Sequence, residues 1–159
     1  MKLTSQEEFG LRLLLSLGRE GAGGSLTIAE LGQREGISAP NVAKIMRILR
    51  RASLVRSTRG KTGGYALARP AGEVRVGEVL SALGGRLFDP EFCDRHSGIE
   101  PECTHLPDCS IRPVLGYLQA AIDQVLHRLT LESLLCSEQE MTASMRPRSV
   151  VLPVLPQVS

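Results

Sequence analysis

Residues 27–51 read TIAELGQREGISAPNVAKIMRILRR, and the way this stretch divides decides the fold. Thr27 and Glu30 have capping-box spacing, in which a hydroxyl caps the first turn and the carboxylate three residues on returns to the cap. That pair predicts a short helix from Ile28 to about Arg34, and Gly36 then supplies a tight turn. Ser38 is placed to cap a third helix, with Pro40 tolerated in its first turn, where amides have no intrahelical acceptor. At about 100° per residue, Val42, Ile45, Met46 and Leu49 fall on one side. Pro40, Lys44, Arg47 and Arg51 fall on the other, with Asn41 at its margin. A short helix, a turn and a helix with a basic outer face is the helix-turn-helix pattern. Taken alone it is equally an amphipathic helix with a solvated face.

The residues that follow decide between the two. Leu54-Val55-Arg56-Ser57-Thr58 predicts a short strand, residues 59–64 (RGKTGG) a turn, and Tyr65-Ala66-Leu67-Ala68 a returning strand. Such a hairpin directly after the third helix is a wing. Its tip carries Arg59 and Lys61 beside Gly63 and Gly64, on a backbone able to approach phosphates closely. Gly60-Lys61-Thr62 resembles the end of a phosphate-binding P-loop, but Val55 stands where that loop needs its first glycine. The strand-turn-strand order is also wrong for it, which excludes nucleotide binding on this motif.

Upstream, Ser5 and Glu8 have capping-box spacing ahead of Phe9, Leu11, Leu13, Leu14, Leu15 and Leu17, and Gly18, Gly21, Gly23 and Gly24 stop the run. Downstream, residues 74–83 predict another short helix, apolar at Val76, Val79, Leu80 and Leu83 and broken by Gly84-Gly85. Residues 36–72 hold eight basic side chains and no acidic one, whereas residues 89–110 hold six acidic side chains against Arg95 alone. The net charge of +2 conceals this split. The first segment is the footprint of a polyanion-binding surface, and the second would be repelled by the same polyanion.

The acidic segment also carries Cys93, Cys103 and Cys109, separated by nine and five residues. The opening MKLTSQEE lacks an apolar run, and no stretch approaches the roughly 18 apolar residues of a membrane span. A cytoplasmic protein with no membrane partner is the resulting expectation, and grouped thiols there more often hold a metal or a cluster than a disulfide. Thiolates are the soft anionic donors that iron–sulfur clusters prefer. Cys136, between Leu135 and Ser137, reads as a small buried apolar residue, and His127 as solvated.

From Ile111 the apolar residues Ile111, Leu115, Leu118, Ile122, Val125 and Leu129 alternate spacings of four and three, a seam along which one helix packs on another. The helix could pack on its own domain, but because winged helix-turn-helix proteins usually read a two-fold site, a homodimer seam is the expectation. Thr130 to Leu135 predict a last short helix, and the Pro-bearing residues beyond Ser137, with Pro147, Pro153 and Pro156, a mobile tail. The expected fold is mainly α with a small β-hairpin wing: a winged helix-turn-helix DNA-binding domain over 1–85, a cysteine-rich cluster-binding loop over 86–110, a dimerisation helix region over 111–136 and a tail over 137–159.

The opening Met-Lys-Leu-Thr, Ile37-Ser38, Leu54-Val-Arg-Ser, Arg59-Gly-Lys-Thr-Gly-Gly-Tyr-Ala-Leu and Val76-Gly-Glu-Val-Leu together resemble the bacterial winged-helix regulators of the IscR and NsrR group, the iron–sulfur cluster and nitric-oxide-sensing regulators. The resemblance covers roughly residues 1–135. It implies a homodimer on palindromic double-stranded promoter DNA, acting as a repressor that senses redox state or nitric oxide through an iron–sulfur cluster, [2Fe-2S] or [4Fe-4S]. It places Asn41, Lys44 and Arg47 in the major groove, Ser38 and Pro40 at the helix entrance, and Arg59, Lys61 and the wing glycines at the minor groove and backbone.

In the same family three cysteines are commonly joined by one non-cysteine ligand. Glu8 stands where other members carry an acidic ligand that reaches across from the partner subunit; His105 and His96 in the loop, Glu7, another loop carboxylate, water or an external thiol are the alternatives. The sequence departs from the family in its long first gap and in Arg112, where some members carry a histidine. A zinc site of three cysteines with His105, a metal-free thiol–disulfide switch, and a small electron-transfer or cluster-carrier protein are the rival readings. An enzyme is not expected, since no pocket-forming motif is present, tryptophan is absent and aromatics make up 3%.

Overall fold

The computed structural model describes residues 3–58, 63–86, 88–89, 91–105 and 108–145. Helix α1 (Ser5–Arg19) opens on a capping box made by Thr4 and Glu7, one residue earlier than the sequence suggests. Ser5 is already helical and so cannot cap. Thr4 accepts from the Glu7 amide, and the Glu7 carboxylate takes both the Thr4 amide and hydroxyl at 2.8 Å. Helix α2 (Ile28–Glu35) has the predicted Thr27–Glu30 box and ends on Gly36, whose left-handed φ of 67° reverses the chain. Helix α3 (Ala39–Arg51) starts after Ser38, whose side chain makes no capping hydrogen bond. Pro40 sits at the second helical position, where its missing amide costs no intrahelical bond.

Strands β1 (Val55–Thr58) and β2 (Gly64–Leu67) pair antiparallel, with Val55 opposite Leu67 and Thr58 opposite Gly64. Leu54 and Ala68 of the expected hairpin fall just outside the strands. Leu26 adds a bridge to Tyr65, with paired backbone hydrogen bonds of 2.9 and 2.8 Å that dock the wing on the segment leading into α2. A Cβ on Gly64 would lie 2.9 Å from the Leu26 carbonyl oxygen, so the close approach requires glycine. Helix α4 (Val76–Gly84) follows a 3-10 turn (Ala71–Glu73), so the predicted 74–83 helix begins only at Val76.

One apolar core joins these elements. Leu13, Leu14 and Leu17 of α1, Leu31 of α2, Val42, Ile45, Met46 and Leu49 of α3, and Val79 and Leu83 of α4 are all buried. Removing such side chains from water is the main favourable term in folding. Helices α1 and α4 meet closely: the Leu83 side chain occupies the space a Cβ on Gly10 would take, and the Glu7 carboxylate does the same at Gly84.

A short helix α5 (Phe92–Arg95) carries Cys93, and helix α6 (Ile111–His127) follows the cysteine segment. The expected last helix is a 3-10 turn (Glu132–Leu134). Leu131, just before it, is completely buried in the head's core, because residues 129–131 run alongside residues 74–76 through an Arg75–Thr130 bridge. Cys136 is exposed, contrary to expectation: Leu131 takes the inward position, and the Cys136 thiol instead donates to the Ser133 carbonyl at 3.2 Å. The expected mobile tail also begins with order, since helix α7 (Glu138–Ser144) is held by a Ser137–Glu140 capping box. The three prolines assigned to the tail lie outside the described residues.

Candidate functional site

The third helix presents the face that its periodicity implies. Val42, Ile45, Met46 and Leu49 are buried, while Ser38, Pro40, Asn41, Lys44, Arg47 and Arg51 are exposed. Arg12, Arg34, Arg69, Arg86 and Arg95 are each paired with a carboxylate. Among the described residues Lys44, Arg47, Arg50 and Arg51 have no carboxylate partner. Exposed surface pairs contribute little to stability. With no acidic side chain anywhere in residues 36–72, the positive potential of α3 is uncompensated within its own segment, which suits a polyanion. The wing stands beside this face, with Gly63 exposed, the Gly64 amide donating to the Thr58 hydroxyl at 3.1 Å, and Arg56 exposed on β1. Arg59 and Lys61 lie outside the described residues.

The turn before α3 is gripped from α1. Arg12 donates to the Glu35 carboxylate at 3.0 Å and to the Glu35 carbonyl, and also pairs with Glu8 at 3.2 Å. Ser16 donates to the other Glu35 oxygen. These contacts, to Glu35 first and Glu8 second, hold the Arg12 guanidinium even more firmly protonated than usual. Glu35 is the last residue of α2, directly before the Gly36 reversal, so the chain Glu8–Arg12–Glu35 ends at the helix-turn-helix corner. Sequence reading missed this link, since nothing in the local pattern pairs positions 12 and 35.

Cys93, Cys103 and Cys109 are all half-buried free thiols. Cys93 and Cys103, with Asp94 and Glu102, line one cleft of about 100 Å³, while Cys109 stands two residues before α6 and outside that cleft. Among the described residues no three His, Cys, Asp or Glu side chains converge as a metal-holding group. Glu8 is exposed and engaged with Arg12, and Glu7 is buried and committed to its cap. His105 is exposed. The His96 ring stacks on Phe92 at 4.2 Å, with Nδ1 2.8 Å from the Phe92 carbonyl, and the residue is exposed. In the same segment Arg95 pairs with Asp89 at 2.7 Å and holds its carboxyl below the usual range. The donor set, three soft sulfurs in one short segment, suits an iron centre; its members are grouped by sequence more tightly than by side-chain position.

Helix α6 has two faces. Ile122 and Leu126 turn toward α4 and the α1 start, around a cavity of about 420 Å³ that Leu80, Gly84 and Gln119 also line. Ile111, Val114, Leu118 and Val125 are exposed, Leu118 and Val125 at 45% each. The predicted seam is thus split: positions 111, 118 and 125 face outward, 115 and 122 are half-buried, and Leu129 lies beyond the helix end. His127 is exposed, as expected.

Three helices with a hairpin wing, a recognition helix with unpaired cations and an appended apolar helix define a winged helix-turn-helix regulator. Sequence and structure comparisons give the same class. The profile of the Rrf2 family, described as iron-dependent transcriptional regulators, matches residues 3–137, and the chain belongs to this family. It is 35% identical over 135 residues to protein rrf2 of Nitratidesulfovibrio vulgaris, covering 85% of this chain and 87% of that one. It is 29% identical to the regulator NsrR of Oceanobacillus iheyensis, over 91% of this chain and 97% of that one. Among solved structures, T. potens IscR superposes with a TM-score of 0.65 at 25% identity, over 92% of this chain and 93% of that one. The oxidised form of Staphylococcus aureus CymR gives 0.63 at 26%, over 86% and 98%. The winged-helix reading and the resemblance to the IscR and NsrR group are both upheld. No described helix is long and apolar enough to cross a membrane.

Proposed function

We propose that this transcriptional regulator reads a palindromic promoter as a homodimer and adjusts its grip through an iron–sulfur cluster held by Cys93, Cys103 and Cys109. The observation that carries the sensing part is the set of three half-buried free thiols on one segment, fixed between the DNA-binding head and α6. When bound, such a cluster supplies redox chemistry and reactivity toward small oxidants or nitric oxide.

The protein's own residues convert that state into geometry. Cys93 and Cys103 already share a cleft, and Cys109 has only to approach it to complete the sulfur set. Glu8 is our choice for the fourth ligand, supplied across the dimer. Recruiting Glu8 takes one partner from Arg12 and alters its hold on Glu35, and so on the corner that sets the pitch of α3. On the DNA, Asn41, Lys44 and Arg47 read base edges, with Ser38 and Pro40 at the helix entrance. Arg51, Arg59, Lys61, Gly63 and Gly64 follow the phosphates. The exposed apolar face of α6 forms the dimer seam, which sets the spacing between the two recognition helices.

A second reading, a thiol–disulfide switch without metal, is favoured by the shared cleft of Cys93 and Cys103 and by the likeness to CymR in an oxidised form. Protein purified without oxygen separates the two. The cluster reading expects a coloured protein with iron and acid-labile sulfide, both lost in Cys103→Ala. A colourless, iron-free wild type that loses two free thiols on mild oxidation supports the switch instead, and zinc at one per chain supports the zinc site.

A further inference from the structure

The most buried side chain of α6 is a polar one. Gln119 is 7% exposed and is the one buried residue of this helix. A buried amide is costly unless its hydrogen bonds are made. Here they are made in two directions. Its Oε1 accepts the backbone N–H of Phe88 at 3.1 Å, and its Nε2 donates to Asp123 at 2.8 Å, one turn along the same helix. Asp123 in turn pairs with Arg86, two residues before Phe88. The Phe88 ring lies against Gly116, where a Cβ would meet it at 3.9 Å. The stretch entering the cysteine segment is therefore fastened to α6 at positions 116, 119 and 123.

From that fastening an aromatic stack leads to the first thiol. Phe88 and Phe92 lie 5.4 Å apart, Phe92 and His96 4.2 Å apart, and the His96 amide donates to the Cys93 carbonyl at 3.2 Å. Each step is a packed or hydrogen-bonded contact. Together they join α6 to the short helix that carries Cys93. Beyond its other end, at residues 129–131, the chain following α6 is bonded to residues 74–76 of the head.

We infer that Gln119 is a positioning residue that latches the Cys93 helix onto α6, so that rearrangement of the cysteine segment is felt by α6 and by the head. The inference rests on the proposed sensing role of that segment for its regulatory half, but not for its structural half. With the amide present, α5 is held and Cys93 stays half-covered. Without it the Phe88 amide loses its buried acceptor, and Phe88 and the α5 helix come away from α6 more often.

The test uses the full-length chain in three forms: wild type, Gln119→Leu, and the double variant Q119E/D123N, in which donor and acceptor exchange places while Phe88 keeps its acceptor. In reduced, iron-free protein the alkylation rate of each cysteine is followed by mass spectrometry, with exposed Cys136 as the internal reference. Gln119→Leu is expected to raise the Cys93 rate relative to Cys136 by about tenfold, and the double variant to return it to within about twofold of wild type. An unchanged Cys93 rate in Gln119→Leu overturns the latch, as does a raised rate that the double variant fails to reverse. In a parallel arm, the ratio of operator affinities between iron-loaded and stripped protein is expected to fall toward one in Gln119→Leu. A wild type with no such ratio refutes the sensing role, and the alkylation result still decides the latch. A ratio that persists undiminished in Gln119→Leu overturns the transmission from segment to head.

Discussion

At the scale of single residues, capping shows what local chemistry can and cannot specify. The Thr27–Glu30 box was legible because no competing register exists. At the chain start Thr4–Glu7 and Ser5–Glu8 compete, and tertiary packing decides: Glu7 fits against Gly84, and Leu83 against Gly10. Replacing Thr27 by alanine is expected to cost about 1 kcal/mol, read as a fall in the thermal midpoint of a few degrees. The carboxyls of Glu30 and Glu140 are held below their ordinary value by the backbone amides and hydroxyls of Thr27 and Ser137. A depressed carboxyl stabilises the fold above its unfolded value, and that contribution is lost as pH falls through the folded one. Amide protection at the starts of α2 and α7 should therefore be constant between pH 7 and about 5 and decline below roughly pH 4. A decline already complete at pH 6 would contradict the assignment.

At the scale of elements, the recognition helix was readable from a period of 3.6 and the wing from its glycines, since both signals are local. The end of the chain was less so. In the sequence TLESLLCS, which apolar residue turns inward depends on the bridge between Arg75 and Thr130, which no local pattern announces. Leu131, not Cys136, is buried, and Leu131→Ala is expected to destabilise the head by about 2–5 kcal/mol, whereas Cys136→Ser should be nearly neutral in denaturant titration. Gln119 was equally hidden, because a glutamine on a helix reads as a solvated residue until Phe88 is seen to donate to it. On α3 and the wing the expected behaviours differ in kind. Neutralising Arg59 and Lys61 together should lower the salt slope of DNA binding by about two, with little change in sequence preference. Asn41→Ala should cost about 1–3 kcal/mol at the operator and little on non-specific DNA. Fluorescence anisotropy across a salt series distinguishes them; equal effects on both kinds of DNA would remove Asn41 from base readout.

At the scale of the whole molecule, the chain places a polyanion-binding face, a thiol segment and an apolar helix in one connected frame. The three parts were visible in the sequence as charge, cysteine spacing and periodicity. Their joints were not, because Arg12–Glu35, Phe88–Gln119 and Arg75–Thr130 each link residues far apart in sequence. The outward face of α6 leaves Ile111, Val114, Leu118 and Val125 exposed, and the proposal seats a second copy of the chain there. Leu118→Glu is expected to halve the mass seen by light scattering, and with it to weaken binding to a palindromic site by about a hundredfold or more, since the second half-site contact is no longer intramolecular. A variant that stays dimeric would move the seam elsewhere. The most direct test of the central proposal is a titration of operator DNA with anaerobic wild type, the same protein stripped of iron, and Cys103→Ala. Two different affinities for loaded and stripped wild type are expected, with Cys103→Ala fixed at the stripped value whether or not iron and sulfide are supplied. One affinity shared by all three would contradict sensing through these thiols.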